Sequence, residues 1–270
     1  MTTVCLSFDF DAFSIWQSTF KQLSPTPLSR GEFGAKVGLP RILAMLSRRN
    51  VEATFFTPAH TARTFPGAVK ALVGSGHEVG VHGYLHESPV GLPEDEERDL
   101  LQRSIAVLEE VTGVRPVGYR SPAWDLSDNS ISILESLGLL YDSSLMAGDF
   151  HPYRPRKGDV MGDEKFTFGN ESSILEFPVA WELDDYPYFQ FMVKPMNQGL
   201  RRPDDVLAVW KGEFDAAHEE NGVFTLTCHP EIIGRGPRVK MLESLINYVQ
   251  SQDNVTFLTM GAAARQILQE

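Results

Sequence analysis

The chain is poor in cysteine. Cys5 and Cys228 are its two, each inside an apolar run ("TVCLSF" and "FTLTCHP"). A disulfide framework is excluded, and both are expected to be buried, reduced thiols. A nucleophilic Cys228 beside His229 is the rival reading. Basic residues are also short: 24 Lys and Arg stand against 36 Asp and Glu, a net charge of −12. Such a surface repels phosphate backbones and anionic lipid, so neither nucleic acid nor a membrane is an expected partner. No window approaches the ~20 apolar residues of a membrane span. No glycine-rich phosphate loop is present. The start, "MTTVCLSFDFD", lacks a basic stretch followed by a long apolar one, so a cytoplasmic location is expected. No linker, repeat or low-complexity tract divides the chain, and one domain over residues 1–270 is expected.

What is present is an alternation. Short β-rich runs occur at Val4–Asp9, Ala53–Thr57, Glu78–His82, Val117–Arg120, Leu139–Asp142, Ile174–Pro178, Val223–Cys228 and Val255–Leu258. Between them lie helical patterns. "EDEERDLLQRSIAVLEEVTG" opens on acids, which suit a helix amino terminus, and stops at a glycine. "SDNSISILESLG" offers Ser127 or Asp128 as a cap. About eight strands alternating with helices predict an α/β fold with a parallel sheet, closed into a barrel more readily than left open. Residues 146–172 carry prolines and glycines but no helical pattern. The barrel is therefore expected to be distorted, with no helix after its fifth strand.

Parallel α/β folds gather their chemistry at the carboxyl ends of strands. Here those ends carry Asp9 and Asp11, His82 with His86 beyond it, Arg120, Asp142, and His229. Asp9 and Asp11 are spaced i, i+2, so in extended backbone they leave one face. Two carboxylates side by side repel unless a cation or proton lies between them. His82 and His86 can meet if the chain turns after its strand. Two imidazoles and one carboxylate suit zinc or a similar divalent ion, and three protein ligands leave room for water, as catalytic sites require.

At this point "SFDFDA", "HEVGVHGYLHE", "YRSPAW", "LYDSS" and "LTCHPEIIGRG" resemble, in order, the motifs of the polysaccharide deacetylase (NodB-homology) superfamily, from residue 6 to about 236. "HGYLHE" and "WELDDYPYF" are similar to its branch of cyclic imide hydrolases, allantoinase-like enzymes and an atypical peptidoglycan deacetylase. The resemblance implies a distorted (β/α) barrel of seven to eight parallel strands and metal-dependent hydrolysis of a non-peptide carbon–nitrogen bond. It implies Asp9 as general base, Asp11, His82 and His86 as ligands of zinc or another divalent transition metal, Arg120 as the partner that orients Asp9, and His229 as general acid. Asp142 matches the carboxylate that partners His229, with Asp184 and Asp185 as alternatives. Trp124, Trp181, Asp185 and Tyr188 are expected around the substrate. Gly83 stands where many members have Ser or Thr, and Phe10 separates aspartates that are often adjacent. Both departures point away from chitin- and xylan-acting members.

The expected substrate is a small cyclic imide, ureide or related amide. The alternative is N-deacetylation of an amino-sugar polymer or precursor. A reading of another class, an inactive barrel that only binds, is opposed by the complete set of base, acid and ligands. The similar branch forms oligomers, so a homo-oligomer is expected.

Overall fold

Every β-rich run named above contributes a strand to one parallel sheet. The computed structural model describes residues 1–194 and 199–269. Its main strands are β1 (Thr2–Asp9), β2 (Thr54–Thr57), β3 (Glu78–Val81), β4 (Gly118–Tyr119), β5 (Tyr141–Asp142), β6 (Leu175–Glu176), β7 (Val223–Cys228) and β8 (Val255–Phe257). The order is β6-β5-β4-β3-β2-β1-β7, and all pairings are parallel. In β1 all but Thr3 are buried, and β2 is buried throughout. Strands covered on both faces read as continuous apolar runs, which is why these two were plain in the sequence.

β1 is paired along both edges. β7 takes one edge over Thr3–Phe8; the other is shared by β2 at Ser7–Asp9 and β8 at Thr2–Val4. β8 thus lies outside the curl of seven strands. β6 and β7 form no ladder with each other. Beyond β6 the chain returns to make one parallel bridge, Asp184 to Thr227, with the Asp185 N–H donating to the Thr227 carbonyl at 3.2 Å. The result is the distorted barrel expected from the sequence, a curled half-barrel of seven parallel strands with one strand beside it.

Helices cover the sheet. In Glu94–Thr112 four acids fill the first turn, where the helix dipole favours them, and Leu101, Ile105 and Leu108 form a buried stripe. The helix expected to start at Ser127 or Asp128 starts at Ser130 instead. The Ser127 hydroxyl accepts from the Asn129 N–H at 3.1 Å and donates to the buried Glu97 carboxylate at 2.5 Å, to which Ser130 also donates. No helix lies between β5 and β6 among the described residues. Two short antiparallel ladders take its place, Arg156–Lys157 with Asn170–Glu171 and Val160–Met161 with Phe166–Thr167. No described helix is long and apolar enough to cross a membrane.

A π-helical turn, Gly34–Gly38, leads into the helix Leu39–Arg49. A side chain at Gly38 would collide with the Pro230 carbonyl. Bare backbone here lets this turn seat the segment that follows His229. Gly234 is closed to a side chain by the same carbonyl, whereas Gly236 has open space around it.

Candidate active site

The strand ends bring Asp9, Asp11, His82, His86, Arg120 and His229 into one buried cluster, each at most 5% exposed. Asp9 closes β1. Phe10 turns into the core, and Asp11 follows beyond the last paired residue. His82 lies just after β3. The chain then turns tightly, with Gly83 at φ 69° and His86 at φ 62°. The Glu87 carboxylate pins the turn by accepting from the N–H groups of Tyr84 and Leu85. The turn brings the two rings edge to face at 4.9 Å. The left-handed φ explains why a glycine occupies position 83 where a side chain would be strained.

Arg120 is fully buried over the face of Phe56. It donates to Asp9 Oδ1 at 2.8 Å, to the Ser7 hydroxyl at 2.8 Å, and to the carbonyl and hydroxyl of Ser143. Burial pushes the Asp9 carboxyl up, but the Arg120 guanidinium, with the charge of His229, outweighs it and holds the group below its usual value. Asp9 is thereby an anion with Oδ1 occupied and Oδ2 turned to His82 and His229, at 3.8 and 3.9 Å from their Nε2 atoms.

Asp11 has a different environment. Burial drives its carboxyl well upward, and Glu231, Asp9 and Asp184 add negative potential against His229. Both of its oxygens, and Nε2 of His82, are buried without a hydrogen-bond partner. Unpartnered buried polar atoms are rare and need an explanation. Asp11 Oδ1 lies 3.5 Å from His82 Nε2, and Oδ2 lies 3.6 Å from His86 Nε2. Ligands bound at ~2.0–2.1 Å in a tetrahedron stand about 3.3 Å apart. Burial keeps both histidines neutral. The His82 Nδ1 meets the Arg120 carbonyl at 2.8 Å, so it carries the proton and Nε2 presents a lone pair. Asp11, His82 and His86 therefore fit a divalent ion in donor type and spacing, with both histidines neutral as ligation requires.

A second acid–imidazole group, Asp184, Asp185 and His229, also has metal-ligating atoms close together. Its contacts are already hydrogen bonds. Asp185 accepts from His229 Nδ1 at 2.8 Å and from the His229 N–H at 3.0 Å. Asp184 accepts from the Tyr186 N–H at 2.7 Å. Burial pushes the His229 pKa down, but Asp184, Asp185 and Asp9 overcome it and hold it well above the ordinary imidazole value. His229 is a protonated imidazolium whose Nε2 faces Asp9 and Asp11.

Three sequence expectations change here. The partner of His229 is Asp185; Asp142 is not. β5 lies at the far side of the sheet from β7, and the Asp142 carboxyl bonds to the Ser144 hydroxyl at 2.7 Å and to Glu176. Asp185 in turn is not a wall of the substrate cavity, because His229 engages both of its oxygens. Tyr188 is not a wall either. Its hydroxyl turns away to the Glu182 carbonyl, and Tyr186 occupies the place expected for it. Trp124 and Trp181 do line the cavity, with ring centroids 4.4 Å apart. The cavity of about 240 Å³ is completed by Ile15, Thr19, Phe20, Ala123 and Asp184, over Asp9, His82, His86 and His229. Ala123 and Trp124 both hold left-handed backbone at φ 57°, strain of the kind that gathers at working sites. Cys228 is no nucleophile: burial first, then Asp185 and Asp184, push its thiol far above the range in which a thiolate forms. The segment Ile15–Phe20 was not foreseen, since no polar motif marks it.

The polysaccharide deacetylase family model matches residues 32–141. A peptidoglycan deacetylase of Helicobacter pylori is 34% identical, over 98% of this chain and 96% of its own. Among solved structures, a protein of Mycobacterium smegmatis provisionally named a polysaccharide deacetylase superposes with a TM-score of 0.87 at 37% identity, covering 98% of this chain and 90% of its own. An allantoinase superposes at 0.80 with 23% identity, covering 98% and 89%, and shares the fold. The chain belongs to the polysaccharide deacetylase family of hydrolases.

Proposed function

We propose that the protein hydrolyses an amide carbon–nitrogen bond in a small, uncharged ring such as a cyclic imide or ureide, with a divalent metal held by Asp11, His82 and His86. The size and lining of the cavity carry this reading. At about 240 Å³ it is smaller than the ~300–1,000 Å³ usual for drug-sized ligands, and five of its walls are Ile15, Phe20, Trp124, Trp181 and Tyr186. No lysine or arginine lines it among the described residues, while Asp9 and Asp184 do, so an anionic substrate is disfavoured.

The bound metal would supply Lewis-acid polarisation of a carbonyl and a more acidic water. The rest falls to the chain. Asp9, kept ionised by Arg120, accepts the proton of the attacking water at Oδ2. His229, kept protonated by Asp185 and Asp184, delivers a proton from Nε2 to the departing nitrogen, which leaves as a neutral amine or amide. Each such proton transfer is typically worth ~10²–10⁴-fold. The aromatic walls flank and orient the ring.

A second reading, removal of an N-acetyl group from an amino sugar, is favoured by the name of the Helicobacter relative. One experiment separates them. Zinc-loaded protein is offered hydantoin, dihydrouracil and succinimide, with ring opening followed by ultraviolet absorbance, and separately N-acetylglucosamine oligomers, with acetate release measured. Ring opening that disappears in Asp11→Ala is the expected result. Acetate release without ring opening would replace the first reading by the second.

A further inference from the structure

His86 is held in an unfavourable backbone state by a residue that no motif marks. Its φ of 62° is left-handed, a conformation strained for a non-glycine residue that persists only where the surroundings impose it. The restraint comes from Thr19, whose hydroxyl lies 3.2 Å from the His86 carbonyl oxygen and 2.7 Å from His86 Nδ1. A hydroxyl has one proton. The carbonyl can only accept, so the proton goes there, and Nδ1 must donate to Thr19 in return. Nε2 is then left with its lone pair, 3.6 Å from Asp11 Oδ2. Thr19 fixes the backbone, ring orientation and tautomer of His86 at once.

We propose that Thr19 is a positioning residue for the divalent-metal site, acting through His86. The inference rests on Asp11, His82 and His86 being the ligands. His82 receives the equivalent restraint from a main-chain carbonyl, that of Arg120, fixed at the end of β4. Thr19 instead belongs to the segment that walls the cavity with Ile15 and Phe20. Phe20 stacks on Tyr186 at 6.4 Å, and Tyr186 stands edge-on to His229 at 5.0 Å. Seating this wall and aligning His86 are therefore one event, and a ligand of the metal depends on the order of a wall of the cavity.

The test uses the full chain stripped of metal with a chelator, and compares wild type, Thr19→Val, Thr19→Ser and Asp11→Ala. Zinc affinity is read by competition with a chromogenic chelator, and the cobalt(II) visible spectrum reports the geometry of the bound ion. Thr19→Val keeps the shape and removes the hydroxyl. It is expected to weaken zinc about 10–100-fold, the usual effect of losing a partner behind a metal-bound histidine, and to shift the cobalt band. Thr19→Ser restores both. Thr19→Val with zinc affinity within twofold of wild type and an unchanged cobalt band, alongside an Asp11→Ala protein that no longer binds, would overturn the proposal. So would Thr19→Ser as weak as Thr19→Val. Wild-type affinity in Asp11→Ala would instead remove the ligand assignment, and this inference with it.

Discussion

Asp9 and Asp11 are two residues apart and chemically identical, and the fold gives them opposite surroundings. Arg120 holds Asp9 low by direct hydrogen bonding, while Asp11 has no hydrogen-bond partner on either oxygen and meets a cation only at His229 Nε2, 4.0 Å away. Asp9→Asn keeps an acceptor for Arg120 but loses the base. It is expected to lower kcat by ~10²–10⁴ while zinc affinity stays within a few-fold, measured on the same preparation. Asp11→Ala should lose both. At the acid, the charge of Asp185 raises the His229 pKa, so removing it lets the proton leave at lower pH. Asp185→Asn should therefore move the alkaline limb of the kcat/KM profile toward neutrality, and a limb that does not move would count against His229 as the acid. The aspartates and histidines were legible because each ends an apolar strand run. The choice of Asp185 over Asp142 was not, because it depends on which strands are neighbours.

Among the elements, the turn after β3 does most to build the site. It carries His82 and His86, takes left-handed backbone at Gly83, and is tied down by Glu87. Gly83→Ala puts a Cβ into that conformation, at ~1–2 kcal/mol. For a chain of this length that is roughly 2–4 °C of Tm per kcal/mol, read by calorimetry. An unchanged Tm would mean that the turn relaxes. The strands were readable because parallel strands buried on both faces are continuous apolar runs. The bounds of β4, β5 and β6 were not: each keeps two paired residues where four or five were expected, because the sheet curls and pairing stops early. Thr19 and the Ile15–Phe20 wall escaped for another reason. Their roles exist only through contacts some 67 residues away, as between Thr19 and His86.

For the molecule as a whole, the buried pair Asp142 and Glu176 sets a pH dependence distant from the chemistry. Burial raises Asp142 to about 6, and burial with the Asp142 charge raises Glu176 further. Unfolded, the two groups titrate near ~3.9 and ~4.3. Above those values the folded chain retains protons that the unfolded chain has released, so stability falls as pH rises. The loss runs through pH 6 and beyond, at up to about 1.4 kcal/mol per pH unit for each proton in play. Denaturant unfolding of the metal-free protein is expected to show this pair's contribution in full only below about pH 4 and declining from there through pH 6 and beyond. In Glu176→Gln the decline above pH 6 should be shallower; an identical slope would assign it to other groups.

The edges of β1 also set a timetable. This strand, which presents Asp9, is synthesised before the others of the sheet, yet β7 and β8, which cover most of its length, are more than 200 residues behind. At ~5–20 residues per second the ribosome needs about 10–40 s to deliver them. Throughout that interval β1 has β2 against its last three paired residues and bare edges elsewhere. The nascent chain must carry an apolar, unpaired strand until β7 and β8 emerge, so it calls for a holding chaperone at the exit tunnel more than a fold of local contacts would.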